Sequence, residues 1–119
     1  MKTIRARRGE TVLTLNDSSL LVEIRGEQFG PYAVDGETKQ LIWRQFDGLS
    51  IPLDFGDGAL GVGGCGYAIE VERFGTSLSA RWWMITPPGW EPLHRIFEAL
   101  AAATPPEIRR RYDFGLGGE

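Results

Sequence analysis

Cys65 and His94 are the first residues in this chain whose types suggest catalysis. A cysteine nucleophile needs a histidine base beside it, usually oriented by a carboxylate. Glycines flank Cys65, His94 falls near the start of a predicted helix, and nothing in their spacing brings the two together. Asp54 and Asp57 could form half of an acid–base or metal site. An enzyme that uses either set is therefore our alternative hypothesis rather than our first one.

Glycine dominates residues 56–66, a composition that also occurs in phosphate-binding loops. Such loops follow a strand, precede a helix and usually contain a lysine. Here a predicted strand follows the run, and the run contains no lysine. We interpret it as a mobile or tightly turned connection. The chain also lacks an Asp-x-Asp-x-Asp loop and a histidine cluster, so we expect neither a cofactor nor a metal.

Charged and aromatic side chains near the middle of the chain suggest a binding surface. Trp83 has the opposite strand parity to Trp82, which places it beside Glu70 and Arg81. An exposed tryptophan surrounded by charge is a common binding anchor. Alternatively, the N-terminal strands or the tail cover Trp83. The candidate partner-binding residues are Asp54, Asp57, Glu70, Arg81 and Trp83, the first two because an acidic loop can meet a basic partner.

A β-hairpin must position these side chains. Apolar residues alternate with polar ones from Tyr67 to Val71 and again from Leu78 to Met84, as expected for half-buried strands. A type II′ turn centred on residues 75–76 would place glycine at its first central position. That turn pairs Tyr67 with Met84, Ile69 with Trp82, and Glu70 with Arg81. Trp82 then faces the core, and Trp83 faces away from it.

One amphipathic helix is predicted over residues 91–103. Its apolar side chains follow the spacing i, i+3, i+4, i+7, and they are Leu93, Ile96, Phe97 and Leu100. A proline in the first turn is tolerated because its missing N–H has no helical partner there. We expect the stripe to pack on the face of the hairpin that carries Tyr67 and Trp82.

The remaining segments are predicted by the same patterns. They are an edge strand at 3–7, a hairpin of strands at 11–15 and 20–25, an irregular loop at 26–36, a strand at 38–46, an edge segment at 51–55 and a partly ordered tail at 107–119. A short helix is the alternative for residues 38–46, since so short an apolar run does not reveal its period. The predicted fold is a single α+β domain over residues 1–119. It is an antiparallel meander of about five or six strands with one C-terminal amphipathic helix packed on one face.

Composition narrows the classes of partner. Hydrophobic residues make up 42% of the 119 and charged residues 24%, which is ordinary for a globular domain. The net charge of −3 gives no electrostatic basis for binding nucleic acid. No apolar run is long enough to span a membrane, so we expect no membrane partner. A single cysteine fits a reducing compartment, and we expect a cytoplasmic protein.

The sequence resembles a pattern found in small bacterial α+β proteins, most of them uncharacterised. The matching residues are Gly66-Tyr67, Arg81-Trp82-Trp83 and Pro87-Pro88-Gly89-Trp90, followed by Leu93. The sequence differs where the family has Asp-Gly before the tyrosine strand, since Gly64-Cys65-Gly66 stands here. The layout of strands with one C-terminal helix is also similar to that of emfourin-type protease inhibitors. Both resemblances imply a small binding protein, and neither implies a catalytic residue.

These observations favour a small cytoplasmic binding protein of the immunity or inhibitor type. Its expected partner is a protein, such as a toxin or a protease, which it would block. The alternatives are an enzyme that uses Cys65 and His94 or Asp54 and Asp57, and a subunit that self-associates as a homodimer.

Overall fold

The structure is a computed structural model, and it describes residues 2–52, 66–83 and 85–112. Within them lie six strands and three helices: β1 Lys2–Arg8, β2 Thr11–Asn16, β3 Ser19–Ile24, β4 Glu27–Ala33, α1 Gly36–Arg44, β5 Gly66–Arg73, β6 Thr76–Trp83, α2 Glu91–Ala102 and α3 Pro106–Arg111. The strands form one antiparallel sheet in the order β4-β3-β2-β1-β5-β6. The predicted α+β fold with an antiparallel meander is therefore confirmed.

Strand β1 lies inside the sheet, between β2 and β5. The prediction of an edge strand at residues 3–7 is wrong. Its charges suggested an exposed edge, but Arg5 and Arg7 lie on one face of the strand, while Ile4 and Ala6 on the other face are fully buried. Because β1 joins the meander to the β5–β6 hairpin, it holds the two halves of the sheet together.

Strand β4 replaces the irregular loop that we predicted at residues 26–36. Gly30 and Pro31 suggested a break, but β4 is an edge strand, where proline is tolerated. A bulge between Leu20 and Val22 accommodates them. Gly30 has a φ of +97°, and a Cβ there would lie 3.0 Å from the carbonyl oxygen of Leu20, so both conformation and space favour glycine.

Helix α1 occupies the segment that we predicted as a strand at residues 38–46, so the alternative of a short helix is the correct one. Asp35 caps it, since its side chain accepts a hydrogen bond of 2.7 Å from the backbone N–H of Thr38. Ile42 anchors the helix in the core. Ile51 and Pro52 are not in a strand, and the rest of the predicted edge segment at 51–55 lies outside the described residues.

The β5–β6 hairpin turns one residue earlier than predicted. Phe74 and Gly75 form its two-residue loop with φ values of +51° and +82°, the conformation of a type I′ turn. Tyr67 therefore pairs with Trp82, Ile69 with Ala80, and Glu70 with Ser79 instead of Arg81. The register differs by two residues, and because side chains alternate with period two, every predicted face is kept.

The core lies between one face of the sheet and the helices. Leu93, Ile96, Phe97 and Leu100 of α2 are buried, as the apolar stripe predicted. The helix packs on the predicted face of the sheet but mainly over β1 and β2, whereas we expected it over the β5–β6 hairpin. From that hairpin, the ring of Tyr67 meets the ring of Phe97 at 6.1 Å. Of the predicted tail at 107–119, residues up to 112 are described. They include part of α3, whose Ile108 joins the core. No helix in the described part of the chain is long and apolar enough to cross a membrane.

Candidate functional site

The sheet face opposite α2, which we call the open face, carries most of the candidate side chains. Trp82 is only 7% exposed because it points into the core, whereas its neighbour Trp83 is 38% exposed on the open face. Glu70 and Arg81 share that face and are exposed. The structure therefore brings together three of the predicted partner-binding residues. Asp54 and Asp57 lie outside the described residues, so their roles stay predictions.

Small residues on β5 create a groove in this face. Gly66 and Ala68 form its floor, while the flanking strands β1 and β6 carry long side chains on both sides. The groove has a volume of about 700 Å³, and its principal walls are Arg5, Arg7, Glu70, Arg81 and Trp83. That volume lies within the range of pockets that hold small ligands or side chains of a partner. We call it the open-face groove.

The register orders the groove into rows. Arg7, Ala68 and Arg81 lie side by side on three adjacent strands, which places one guanidinium group on each side of Ala68. In the next row Glu70 lies between Arg5 and Ser79. Since neighbouring strands are about 4.8 Å apart, the two arginines of the first row are separated by roughly twice that distance at the backbone. Their side chains can therefore contact one bound group from both sides.

Trp83 closes one end of the groove. It pairs with Gly66, and a Cβ added to Gly66 would lie 3.4 Å from atoms Cε3 and Cζ3 of the indole. The ring thus lies over the glycine, where a larger side chain would press against it. Because Trp83 is 38% exposed, a partner can stack on its indole or pack against it.

The open-face groove has a positive charge despite the negative net charge of the chain. Among its described lining residues, Arg5, Arg7 and Arg81 face one carboxylate, that of Glu70. Among residues 2–52, 66–83 and 85–112, none of these three guanidinium groups forms an ion pair. An arginine without an intramolecular partner keeps its donors free for carboxylate or phosphate oxygens. We therefore expect the groove to attract anionic groups rather than the basic partner that an acidic loop would suggest.

Below β5 and β6, an aromatic cluster fixes the inner side of the hairpin. Tyr67 stacks on Trp82 with ring centroids 5.4 Å apart, and Trp82 meets Trp90 edge to face at 6.2 Å. The phenolic oxygen of Tyr67 accepts a hydrogen bond of 3.1 Å from Nε of Arg8. Because these rings are packed against each other, they hold the floor of the groove in place.

The described residues include one member of the predicted catalytic pair, His94. His94 packs its ring against the edge of Tyr67 at 5.3 Å, and its Nε2 lies 3.8 Å from Oε1 of Glu98. Its Nδ1 is buried and has no hydrogen-bond partner in the described part of the chain. Cys65 lies outside that part, so a Cys65–His94 pair stays a prediction. The described residues, 2–52, 66–83 and 85–112, contain no cluster of three or more metal-ligating side chains.

Two residues of the groove, Arg5 and Arg7, were missed by the sequence interpretation. Each belongs to the groove only because β1 pairs with β5, and those strands are far apart in the sequence. The available signal was the alternation of Arg5 and Arg7 with Ile4 and Ala6, which indicates one charged face and one buried face. The prediction of an edge strand relies instead on the charges of Lys2, Arg5 and Arg8.

Comparisons of the chain with family models, curated proteins and solved structures found no match.

Proposed function

We propose that this chain is a small binding protein of the immunity or inhibitor type, which blocks a partner protein by docking it on the open face. The single observation that carries the proposal is the open-face groove, where Arg7 and Arg81 flank a small floor and Trp83 closes one end. Tryptophan and arginine are the residue types most enriched among binding hot spots. Since the groove is positively charged, the docking surface of the partner is acidic.

The groove suits binding better than catalysis. Its described lining residues include no cysteine, serine or histidine, and its one carboxylate is Glu70. A reaction site brings a nucleophile or a general base together with groups that orient it. The groove instead offers an indole surface and three guanidinium groups, which bind without reacting. The resemblance to small inhibitor proteins points the same way and stays a prediction.

Affinity capture with matched variants tests the proposal. Wild-type protein, Trp83→Ala and the double variant Arg7→Glu/Arg81→Glu are used as baits in lysate of the source cell. Arg95→Glu is the control, since Arg95 is an exposed arginine on α2. We expect one protein to be retained by the wild type and the control and lost from both groove variants. The purified pair is then measured by calorimetry, where removal of a hot spot of about 2 kcal/mol weakens binding roughly 30-fold.

The inhibitor role is tested on the retained protein itself. Its activity, for example proteolysis or toxicity, should fall when the chain is added in equal amount, and Trp83→Ala should restore it. A partner that binds all four baits equally would contradict docking in the groove. A partner that binds through the groove but keeps its activity would contradict the inhibitor type.

A further inference from the structure

The two edges of the sheet differ in a way that bears on how a partner binds. At one edge, β4 contains Gly30 and Pro31 and pairs through a bulge, devices that prevent another strand from adding there. At the other edge, β6 runs for eight residues in uninterrupted register and contains no proline. Its outer side pairs with no strand among residues 2–52, 66–83 and 85–112.

One hydrogen bond reveals which backbone groups of β6 point outward from the sheet. The N–H of Gly9 donates to the carbonyl oxygen of Gly66 at 2.9 Å, so the backbone of Gly66 is directed toward β1 and away from β6. The pair Gly66–Trp83 is therefore of the type that shares no hydrogen bonds, and opposite pairs alternate between the two types. By this alternation the N–H and carbonyl groups of Ser79 and Arg81 point outward. Their side chains lie on the open face.

We propose that β6 is a docking edge at which an extended segment of the partner protein adds as a seventh strand. This inference rests on the proposed function and specifies the recognition element. On the open face the added strand places acidic side chains beside Arg81, where no ion pair within the described residues competes for them. On the other face it places apolar side chains beside Leu78, which is 41% exposed. The recognised segment therefore alternates acidic and apolar residues.

A second copy of the chain fits this edge less well. When the outward-pointing residues of two antiparallel β6 strands face each other, two registers overlap equally, over residues 77–83 or 76–82 of each strand. In the first register Arg81 faces Ser79 of the other copy, and the two Arg81 side chains are diagonal neighbours whose like charges repel each other. In the second register Arg81 faces Ser77. Neither register places a carboxylate opposite Arg81, whereas an acidic segment does.

Amide hydrogen exchange followed by NMR tests strand addition directly. The probe is the peptide acetyl-Glu-Val-Glu-Val-Glu-Val-amide, and the same peptide with lysine in place of glutamate is the control. We expect the amides of Ser79 and Arg81 to exchange fast in the free protein and at least tenfold more slowly with the acidic peptide. The lysine peptide and the Arg81→Glu variant should give no such protection.

A backbone variant separates this inference from the proposed function. Ser79→Pro removes an outward N–H at a sheet edge, where proline is tolerated, and its fold is checked by the NMR spectrum. Ser79→Pro should weaken the binding of both the partner and the acidic peptide at least tenfold. If substitution of Arg7 or Trp83 weakens binding of the partner but Ser79→Pro does not, strand addition is contradicted, whereas docking on the open face is supported.

Four further outcomes would overturn strand addition. Ser79 and Arg81 amides that are already protected in the free, dilute protein would show that the chain itself covers this edge. Protection that grows with protein concentration alone would show a second copy there. Changes in the NMR chemical shifts of Ala68 and Trp83, without slower amide exchange in β6, would show that the peptide binds in the groove only. Absence of any binding by the acidic peptide at millimolar concentration would also contradict the proposal.

Discussion

Trp82 and Trp83 are adjacent in sequence but lie on opposite faces of β6, so the same substitution should have different effects at the two positions. Trp82 packs against Tyr67 and Trp90 in the core, whereas Trp83 covers Gly66 on the open face. We expect Trp82→Ala to lower the free energy of unfolding by about 3–5 kcal/mol. Trp83→Ala should change it by about 1 kcal/mol or less. Urea unfolding followed by circular dichroism measures both, and equal losses would contradict the assigned faces.

Asp35 gives one end of α1 a dependence on pH. The backbone N–H of Thr38, followed by its side-chain hydroxyl, donates to the Asp35 carboxylate and lowers its pKa from the ordinary value of 3.8. Because the folded-state pKa lies below the unfolded one, this interaction stabilises the protein above the unfolded pKa. The contribution is lost as pH falls through the folded pKa.

The Asp35→Asn variant isolates this effect, since asparagine keeps the capping oxygen but does not titrate. We expect wild type to lose stability relative to the variant as pH falls below the ordinary aspartate range. The melting temperatures of the two proteins, recorded side by side from neutral pH into the acid range, provide the measurement. A difference in melting temperature that does not change with pH would show that the charge of Asp35 contributes nothing to the cap.

Among the elements, the β5–β6 hairpin shows what local sequence can and cannot determine. The alternation of apolar residues predicted both strands and both faces correctly. The register was predicted wrongly because Gly75 can occupy either central position of a two-residue turn, in type I′ or in type II′. Phe74 takes the other left-handed position, and its ring lies near the cations of Lys2 and Arg73. Those contacts help explain why a bulky residue occurs there, and only the folded structure reveals them.

A pair of glycine substitutions tests the turn. Gly75 has a φ of +82°, whereas Gly36 at the start of α1 does not have a left-handed φ, and a Cβ would meet nothing within 4 Å at either residue. Both positions therefore have room for a methyl group, and they differ in backbone conformation. We expect Gly75→Ala to lower the free energy of unfolding by about 1–2 kcal/mol. Gly36→Ala should raise it by about 0.5 kcal/mol. Thermal unfolding checks both, and a harmless Gly75→Ala would mean that the turn is not type I′.

Long-range pairing accounts for most of what the sequence did not predict. The helix α2 was located nearly to the residue, because its stripe and its flanking prolines are local signals. By contrast, the central position of β1 and the role of Arg5 and Arg7 depend on contact with β5 across the chain. For α1, a run of six apolar and polar residues fits both the alternation of a strand and the spacing of a helix. The N-cap at Asp35 favours the helix.

On the scale of the whole molecule, the two faces of the sheet have separate roles. The face under α2 holds the buried core, from Ile4 and Leu13 to Phe97, and provides most of the stability. The open face groups the like charges of Arg5, Arg7 and Arg81 around Glu70, the one carboxylate among the described lining residues, so their mutual repulsion is only partly offset within the fold. Such a cluster is expected where a surface is selected for a partner rather than for stability.

This separation predicts that the arginines of the open-face groove can be removed at little cost to folding. The triple variant Arg5→Gln/Arg7→Gln/Arg81→Gln should keep its free energy of unfolding within about 1 kcal/mol of wild type. Any gain in stability should be largest at low salt, where repulsion is least screened. Arg109→Gln is the control, because Nε of Arg109 donates to the carbonyl oxygen of Thr104 at 3.0 Å and its loss should destabilise the protein. Urea unfolding at low and high sodium chloride measures both variants. A triple variant that loses several kcal/mol would show that these arginines hold the sheet together and are not reserved for a partner.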